Sequence, residues 1–154
     1  MGLLGLISDT HGLVRPSVFQ ALAGVELILH AGDVGDGVLE ELGAIAPVRA
    51  VYGNTDPVGT PGLAESIDLT YEGMRIHVSH GHELGAPTPQ KLLATYAADV
   101  VVYGHTHKQL VAHVDGRWVV NPGAAGQRRF KLTPSCARLT IESGQIDVQL
   151  VDLE

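Results

Sequence analysis

The chain has 154 residues, 45% of them hydrophobic and 18% charged. That is enough apolar material for one packed core over residues 1–154, and it excludes intrinsic disorder and a pair of full-sized domains. Ten Lys and Arg stand against seventeen Asp and Glu, a formal net charge of -7, the wrong sign for general attraction to nucleic acid or an anionic membrane.

Only 5% of residues are aromatic, so the core must come from Val, Leu, Ile and Ala, as in buried strands covered by helices. The lone Cys136 has no internal partner and argues for no oxidising compartment. The opening residues lack a basic segment, and their apolar run meets Asp9 too early for a signal peptide or a spanning helix. The expected compartment is the cytoplasm.

In chain order, residues 3–7 form a short apolar run that ends in Ser8-Asp9-Thr10-His11-Gly12, the pattern of a buried strand delivering polar groups at its carboxyl end. A helix over 16–23 follows, with Pro16 in its first turn. The form then recurs: 25–30 runs into Ala31-Gly32-Asp33, and after a helix over 38–45, residues 48–52 run into Gly53-Asn54-Thr55-Asp56. Both helices are near the length of a parallel crossover. Segments 67–71 and 75–80 flank Glu72-Gly73-Met74 as a hairpin that feeds another polar strand end. A third helix, 89–98, precedes the apolar 100–103, which ends in Gly104-His105-Thr106-His107. The remainder pairs 109–114 with 117–120 about Asp115-Gly116, and 136–141 with 145–151 about Glu142-Ser143-Gly144. An α/β amino half thus grades into a β-rich carboxyl half, which predicts helices layered on sheets.

Ligands of α/β sheets sit beyond the carboxyl ends of strands, and Asp9, His11, Asp33, Asn54, His80, His105 and His107 all fall there. Asp9-x-His11 and His105-x-His107, read as extended segments, turn alternate side chains to one side. Carboxylate, imidazole and amide oxygen together suit hard-to-borderline divalent ions. The set exceeds what a single zinc needs and matches two ions sharing a bridging carboxylate, which can hold a bridging hydroxide nucleophile and clamp phosphoryl oxygens. The expected cofactors are two divalent metal ions, Mn foremost, with Fe, Co, Ni, Zn or Mg as the others. Their charge admits a phosphate into an acidic protein.

Taken in order, Asp9-Thr10-His11, Gly32-Asp33, Gly53-Asn54, His80-Gly81-His82 and Gly104-His105-Thr106-His107 resemble the calcineurin-like metallophosphoesterases. Gly53-Asn54-Thr55-Asp56, Asn121-Pro122-Gly123 and the small size are similar to the compact prokaryotic phosphodiesterase branch. The resemblance implies a four-layer α/β/β/α sandwich with two mixed sheets. It also implies that Asp9, His11 and His107 bind one metal, that Asn54, His80 and His105 bind the other, and that Asp33 bridges them. His80 is preferred to His82 as the ligand because it ends its strand, which leaves His82 as a substrate contact. Asp33, Asn54 and His82 are then the catalytic candidates. Many family members follow the amide with His, read as a proton donor or phosphate contact, whereas this chain has Thr55, a poor general acid. A preference for less basic leaving groups is therefore expected.

The implied activity is hydrolysis of a small phosphodiester substrate. A scaffold or interaction module of the same fold is the alternative, and the complete ligand set argues against it. Sheet edges leave room for a homodimer. Among the remaining residues, His30 is expected as a packed histidine hydrogen-bonded near the site, and His77 and His113 as structural or solvated strand positions. Asp36 is expected to cap the second helix, Asp56 to start a turn with an orienting role as its alternative, and Tyr52 and Tyr103 to lie in the core. Arg128 and Arg129 form a small basic pair, a candidate contact for substrate phosphate or another subunit.

Overall fold

The computed structural model describes residues 1–129 and 131–154. In chain order its first elements are β1 (Gly2–Ile7), α1 (Pro16–Ala21), β2 (Leu27–His30), α2 (Val38–Leu42), β3 (Val48–Val51) and the two-residue β4 (Leu63–Ala64). Then follow β5 (Ile67–Tyr71), β6 (Met74–Val78), a 3-10 turn (His82–Leu84), α3 (Pro89–Thr95) and β7 (Val100–Val102). The remaining strands are β8 (Leu110–Val114), β9 (Arg117–Asn121), β10 (Ser135–Glu142) and β11 (Gln145–Asp152).

Two sheets form. In the first, of order β11-β10-β1-β2-β3-β4, the run from β1 to β4 is parallel, and β10 and β11 join antiparallel. In the second, of order β5-β6-β7-β9-β8, a parallel centre is flanked by two antiparallel hairpins. Both sheets are mixed, as the resemblance implied. Alternation along each strand decides which layer a side chain joins. Leu4, Leu6, Leu29, Val51 and Leu139 of the first sheet meet Ile76, Val78, Val100, Val102 and Val120 of the second in the central core. Their alternates Ile7, Ile28 and Ala50 face Val18, Leu22, Val38 and Leu42 on or beside α1 and α2. On the far side Val101 and Val119 pack with Leu92 of α3. The result is the four-layer α/β/β/α sandwich.

All three helices are shorter than their patterns predict: α1 and α3 end where an arginine from a distant strand captures carbonyls, and α2 ends in a local tightening of its last turn. The Arg138 guanidinium on β10 donates to the carbonyl of Ala21, the last residue of α1, and to that of Ala23 beyond it. Arg117 on β9 donates to Leu93, Tyr96 and Ala98 at the end of α3. The α2 end tightens through three-residue bonds, Ala44 N–H to Glu41 and Ile45 N–H to Leu42. Asp36 is not the cap of α2: Gly37 holds that position in the left-handed region (φ 78°), and no side chain caps it. No helix among the described residues is long and apolar enough to cross a membrane.

Candidate metal centre

Parallel pairing continues past the ends of β1 and β2, where Asp9 N–H donates to the Gly32 carbonyl, His11 N–H to Asp33 and Gly12 N–H to Val34. The two loops therefore leave the sheet side by side and carry Asp9, His11 and Asp33 together. These loops are not extended. Asp9 (φ 53°), His11 (46°), Asp33 (55°), His105 (72°) and His107 (65°) all lie in the left-handed region, which non-glycine residues adopt at a cost of roughly 1–2 kcal/mol each. The reading of Asp9-x-His11 and His105-x-His107 as strand-like alternation is corrected accordingly. Left-handed residues at alternate positions, Asp9 and His11 and then His105 and His107, turn the paired side chains to one pocket, and the surrounding hydrogen bonds hold them there.

Close approach of backbone completes the packing. A methyl on Gly53 would overlap the Asp33 carboxylate, and one on Gly104 would overlap Ser8 Oγ and stand 2.6 Å from Asp9 Oδ2. Each strand-end glycine is thus a space reserved for a ligand next to it.

The structure brings all seven predicted ligands together. Nε2 of His107 lies 3.3 Å from Asp9 Oδ1, and Nε2 of His11 lies 3.7 Å from Asp33 Oδ2. Nε2 of His80 stands 3.3 Å from the same Asp33 oxygen and 3.9 Å from Asp9 Oδ1. Oδ1 of Asn54 lies 3.1 Å from His80 Nε2 and 3.2 Å from His105 Nδ1. Asp33 Oδ2 therefore sits between His11 on one side and His80 on the other, while its Oδ1 is held by the Thr55 N–H at 2.9 Å. Asp9 is fixed the same way: Oδ2 accepts from Ser8 Oγ at 2.6 Å and from the His105 N–H.

Two observations show that these groups fit a cation. Asp9 Oδ1 and His11 Nε2 are buried, with no hydrogen-bond partner among the described residues, a costly state unless something else engages them. In His80, Nδ1–H donates to the Ala31 carbonyl at 2.7 Å, so the neutral ring aims a bare lone pair at acceptor oxygens. Asp9, His11 and His107, and separately Asp9, Asp33 and His80, hold ligand atoms within 4.8 Å of one another.

The electrostatics agree. Burial, followed by the Asp33 hydrogen bond and the charges of Asp9 and Asp33, sets the His80 balance; the acids outweigh burial and raise its pKa. Burial opposes the charge on Asp33 as well, but His80 and the Thr55 N–H outweigh it and hold the carboxyl well below its usual range. His11 and His105 are held below the ordinary imidazole value, chiefly by burial, so both offer the neutral rings that a metal requires.

His82 lies on the 3-10 turn, with Nδ1 3.9 Å from Glu83 Oε1 and its ring centroid 5.3 Å from that of His80 and 6.4 Å from that of His105. Asp56 does more than start a turn. Its carboxylate accepts from the N–H groups of Val34, Gly35 and Gly53 and so clasps the loops bearing Asp33 and Asn54. Asn121 donates to the Gly104 carbonyl and Thr106 Oγ1 and accepts from Gly123 N–H, which pins the loop of His105 and His107. Sequence reasoning quoted Asn121 without a role, and it missed Ser8; the available signal was a polar residue closing an apolar strand.

Tyr103 is buried, whereas Tyr52 is half-buried and lines a cleft with His82, so it does not belong to the core. His77 is buried against Tyr96, and His113 stacks on Trp118. Arg128 is paired with Glu154 at 2.9 Å, and the charge of Arg129 reaches His11, lowering its pKa further. Cys136 is buried with its thiol pushed up to about 12, an inert state.

Residues 3–144 match the profile of the calcineurin-like phosphoesterase superfamily domain. A probable metallophosphoesterase of Methanothermobacter thermautotrophicus is 35% identical over 158 residues, spanning 97% of this chain and 91% of that protein. A phosphodiesterase of Methanocaldococcus jannaschii is 28% identical over 139 residues, 78% of this chain and 82% of its own. Wild-type Vps29 from Entamoeba histolytica, solved in complex with Zn2+, superposes with a TM-score of 0.80 over 99% of each chain at 24% identity, a likeness of fold.

Proposed function

The chain belongs to the calcineurin-like phosphoesterase superfamily, and on that premise we propose that it is a metal-dependent phosphodiesterase hydrolysing a small phosphodiester at a dinuclear centre. The observation that carries this reading is that Asp9, His11 and His107, and Asp9, Asp33 and His80, form two ligand groups sharing Asp9, with Asn54 joining His80 to His105, while Asp9 Oδ1 and His11 Nε2 are buried without a hydrogen-bond partner among the described residues. Asp9, His11 and His107 would hold one ion, Asn54, His80 and His105 the other, and Asp33 Oδ2 would serve both; Mn is the metal we favour. Divalent ions in such a site supply a water-derived nucleophile at neutral pH and positive charge for the phosphoryl oxygens.

The chain's own groups do the positioning. Thr55 N–H orients Asp33, Ser8 and the His105 N–H orient Asp9, and the Ala31 carbonyl selects the His80 tautomer with Nε2 free. His82, half-exposed beside His80 and His105, would contact the substrate. Thr55 offers no acid near the pH of catalysis, so substrates with less basic leaving groups should be favoured. A single domain over 1–154, a cytoplasmic setting and a homodimer formed through sheet edges complete the proposal.

The test is elemental analysis of protein purified without chelator, paired with hydrolysis of bis(4-nitrophenyl) phosphate before and after metal is stripped and Mn restored. Two ions per chain and recovered turnover are expected. Protein that takes up Mn yet turns over no activated diester or monoester would overturn the reading in favour of a scaffold of the same fold.

A further inference from the structure

Beside the ligand cluster lies a second cleft that metal binding leaves unused. Tyr52, Glu65, Ser66, Ser79, Glu83 and Tyr96 line it around a volume of about 280 Å³, with His82 at its edge. His82 links the two regions: its ring centroid is 5.3 Å from that of His80 and 6.5 Å from that of Tyr52. A phosphoryl group bound at ions held by these ligands would therefore lie within reach of this cleft for one ester arm.

The lining seeks hydrogen-bond donors. Ser79 is 2% exposed, and neither its hydroxyl nor Nδ1 of His82 has a hydrogen-bond partner among the described residues, so a ligand group that engages them removes a desolvation cost. Glu83 accepts from Gly81 N–H at 2.9 Å and from the Tyr96 hydroxyl at 2.7 Å, one bond on each oxygen, which leaves acceptor capacity on both. Glu65 is exposed at the rim. The described lining contains two carboxylates and no Lys or Arg. The rings of Tyr52 and Tyr96 add faces that attract a cation.

We propose that this cleft is a specificity subsite that binds the second ester arm of the substrate and selects an aminated alcohol over one bearing a further anion. The proposal rests on the phosphodiesterase reading above. An ammonium reaching the cleft meets Glu65, Glu83 and the Ser79 hydroxyl, whereas a carboxylate or second phosphate meets like charge with no cation to neutralise it.

The experiment uses the Mn-loaded full chain and two 4-nitrophenyl phosphodiesters, whose second ester is 2-aminoethyl or carboxymethyl. The amino ester should exceed the carboxy ester in kcat/KM by about tenfold or more. Glu65→Lys should cut that ratio about tenfold, and Ser79→Ala should lower it through KM. Glu142→Lys, at the opposite end of the first sheet, should leave it unchanged. Equal kcat/KM for the two esters, or an equal effect of Glu65→Lys and Glu142→Lys, would overturn the subsite while leaving the phosphodiesterase reading intact. Failure to hydrolyse bis(4-nitrophenyl) phosphate would instead remove that reading. Titration of Mg-loaded protein with 2-aminoethyl methyl phosphate, whose alkoxide leaving groups are poor, then reads the cleft directly: amide shifts at Ser66, Ser79 and Glu83 support the subsite, and their absence alongside shifts at the metal-site loops overturns it.

Discussion

His30 lies fully buried behind the ligands, where its Nδ1 accepts from Gly32 N–H and its Nε2–H donates to the Thr10 hydroxyl, which donates onward to the Val34 carbonyl. Burial pushes its pKa down to about 4 despite the nearby acids Asp9 and Asp56. Between pH 6.5 and 4 the unfolded chain then binds a proton that the folded one excludes, so His30 makes stability fall as pH drops through this window, by an amount on the order of 3 kcal/mol. His80 works with the opposite sign: its raised value lends stability below its unfolded value that is lost as pH climbs through the folded one. Comparing metal-free wild type with His30→Gln by urea melts at pH 7 and pH 4.5 separates the two. The variant should show a clearly smaller loss on acidification, and an identical loss would contradict the burial argument. Gly53 makes a second prediction, of space alone. Gly53→Ala sets a methyl against the Asp33 carboxylate, which should destabilise the fold by about 1–3 kcal/mol and reduce metal uptake, both readable from a thermal melt and elemental analysis.

Short elements depend on side chains that arrive from elsewhere in the chain. α3 ends without a glycine, and the Arg117 fork on β9 takes the carbonyls of Leu93 in its last turn, of Tyr96 at its cap and of Ala98 just beyond. Arg117→Lys keeps the charge and loses the fork; it should destabilise by about 1–3 kcal/mol while the metal content stays the same, and unchanged chemical denaturation would refute the capping role. Asp56 acts between elements in a similar way, joining the loops that follow β2 and β3. Asp56→Ala frees three N–H groups, so metal affinity should fall about tenfold or more alongside a lower melting temperature. A titration that finds full affinity would show that the loops hold themselves. The apolar runs placed nearly every strand within a residue or two, because alternation and burial are local signals. The two-residue β4 carried no such signal, since it exists only by pairing with Ala50 and Val51.

Across the whole molecule, Asp9, His11, Asp33 and Asn54 come from loops of the first sheet, and His80, His105 and His107 from loops of the second. Any ion held by both sets ties the two sheets together at one end of the sandwich, so metal binding and global stability are linked. Chelation should lower the melting temperature, and Mn at a hundred times its dissociation constant should restore about 2.7 kcal/mol, a shift of roughly 5–10 °C for a chain of this size. Asp33→Asn should remove most of that shift and the turnover with it, while the metal-free variant melts close to metal-free wild type. A Mn-dependent shift as large in Asp33→Asn as in wild type would argue against a shared carboxylate.

The sequence by itself determined the layered α/β architecture and the place of the seven ligand residues. A strand buried on both faces must be apolar along its length, and its first polar residues mark where it leaves the sheet. Only the tertiary structure decided how those residues meet. The left-handed turns at Asp9, His11, Asp33, His105 and His107, the Asp56 clasp, the arginine caps and the cleft between Tyr52 and Tyr96 all arise from contacts between distant segments. Local periodicity carries no information about such contacts, because the hydrogen bonds that hold a strained turn in place come from chain far away in sequence.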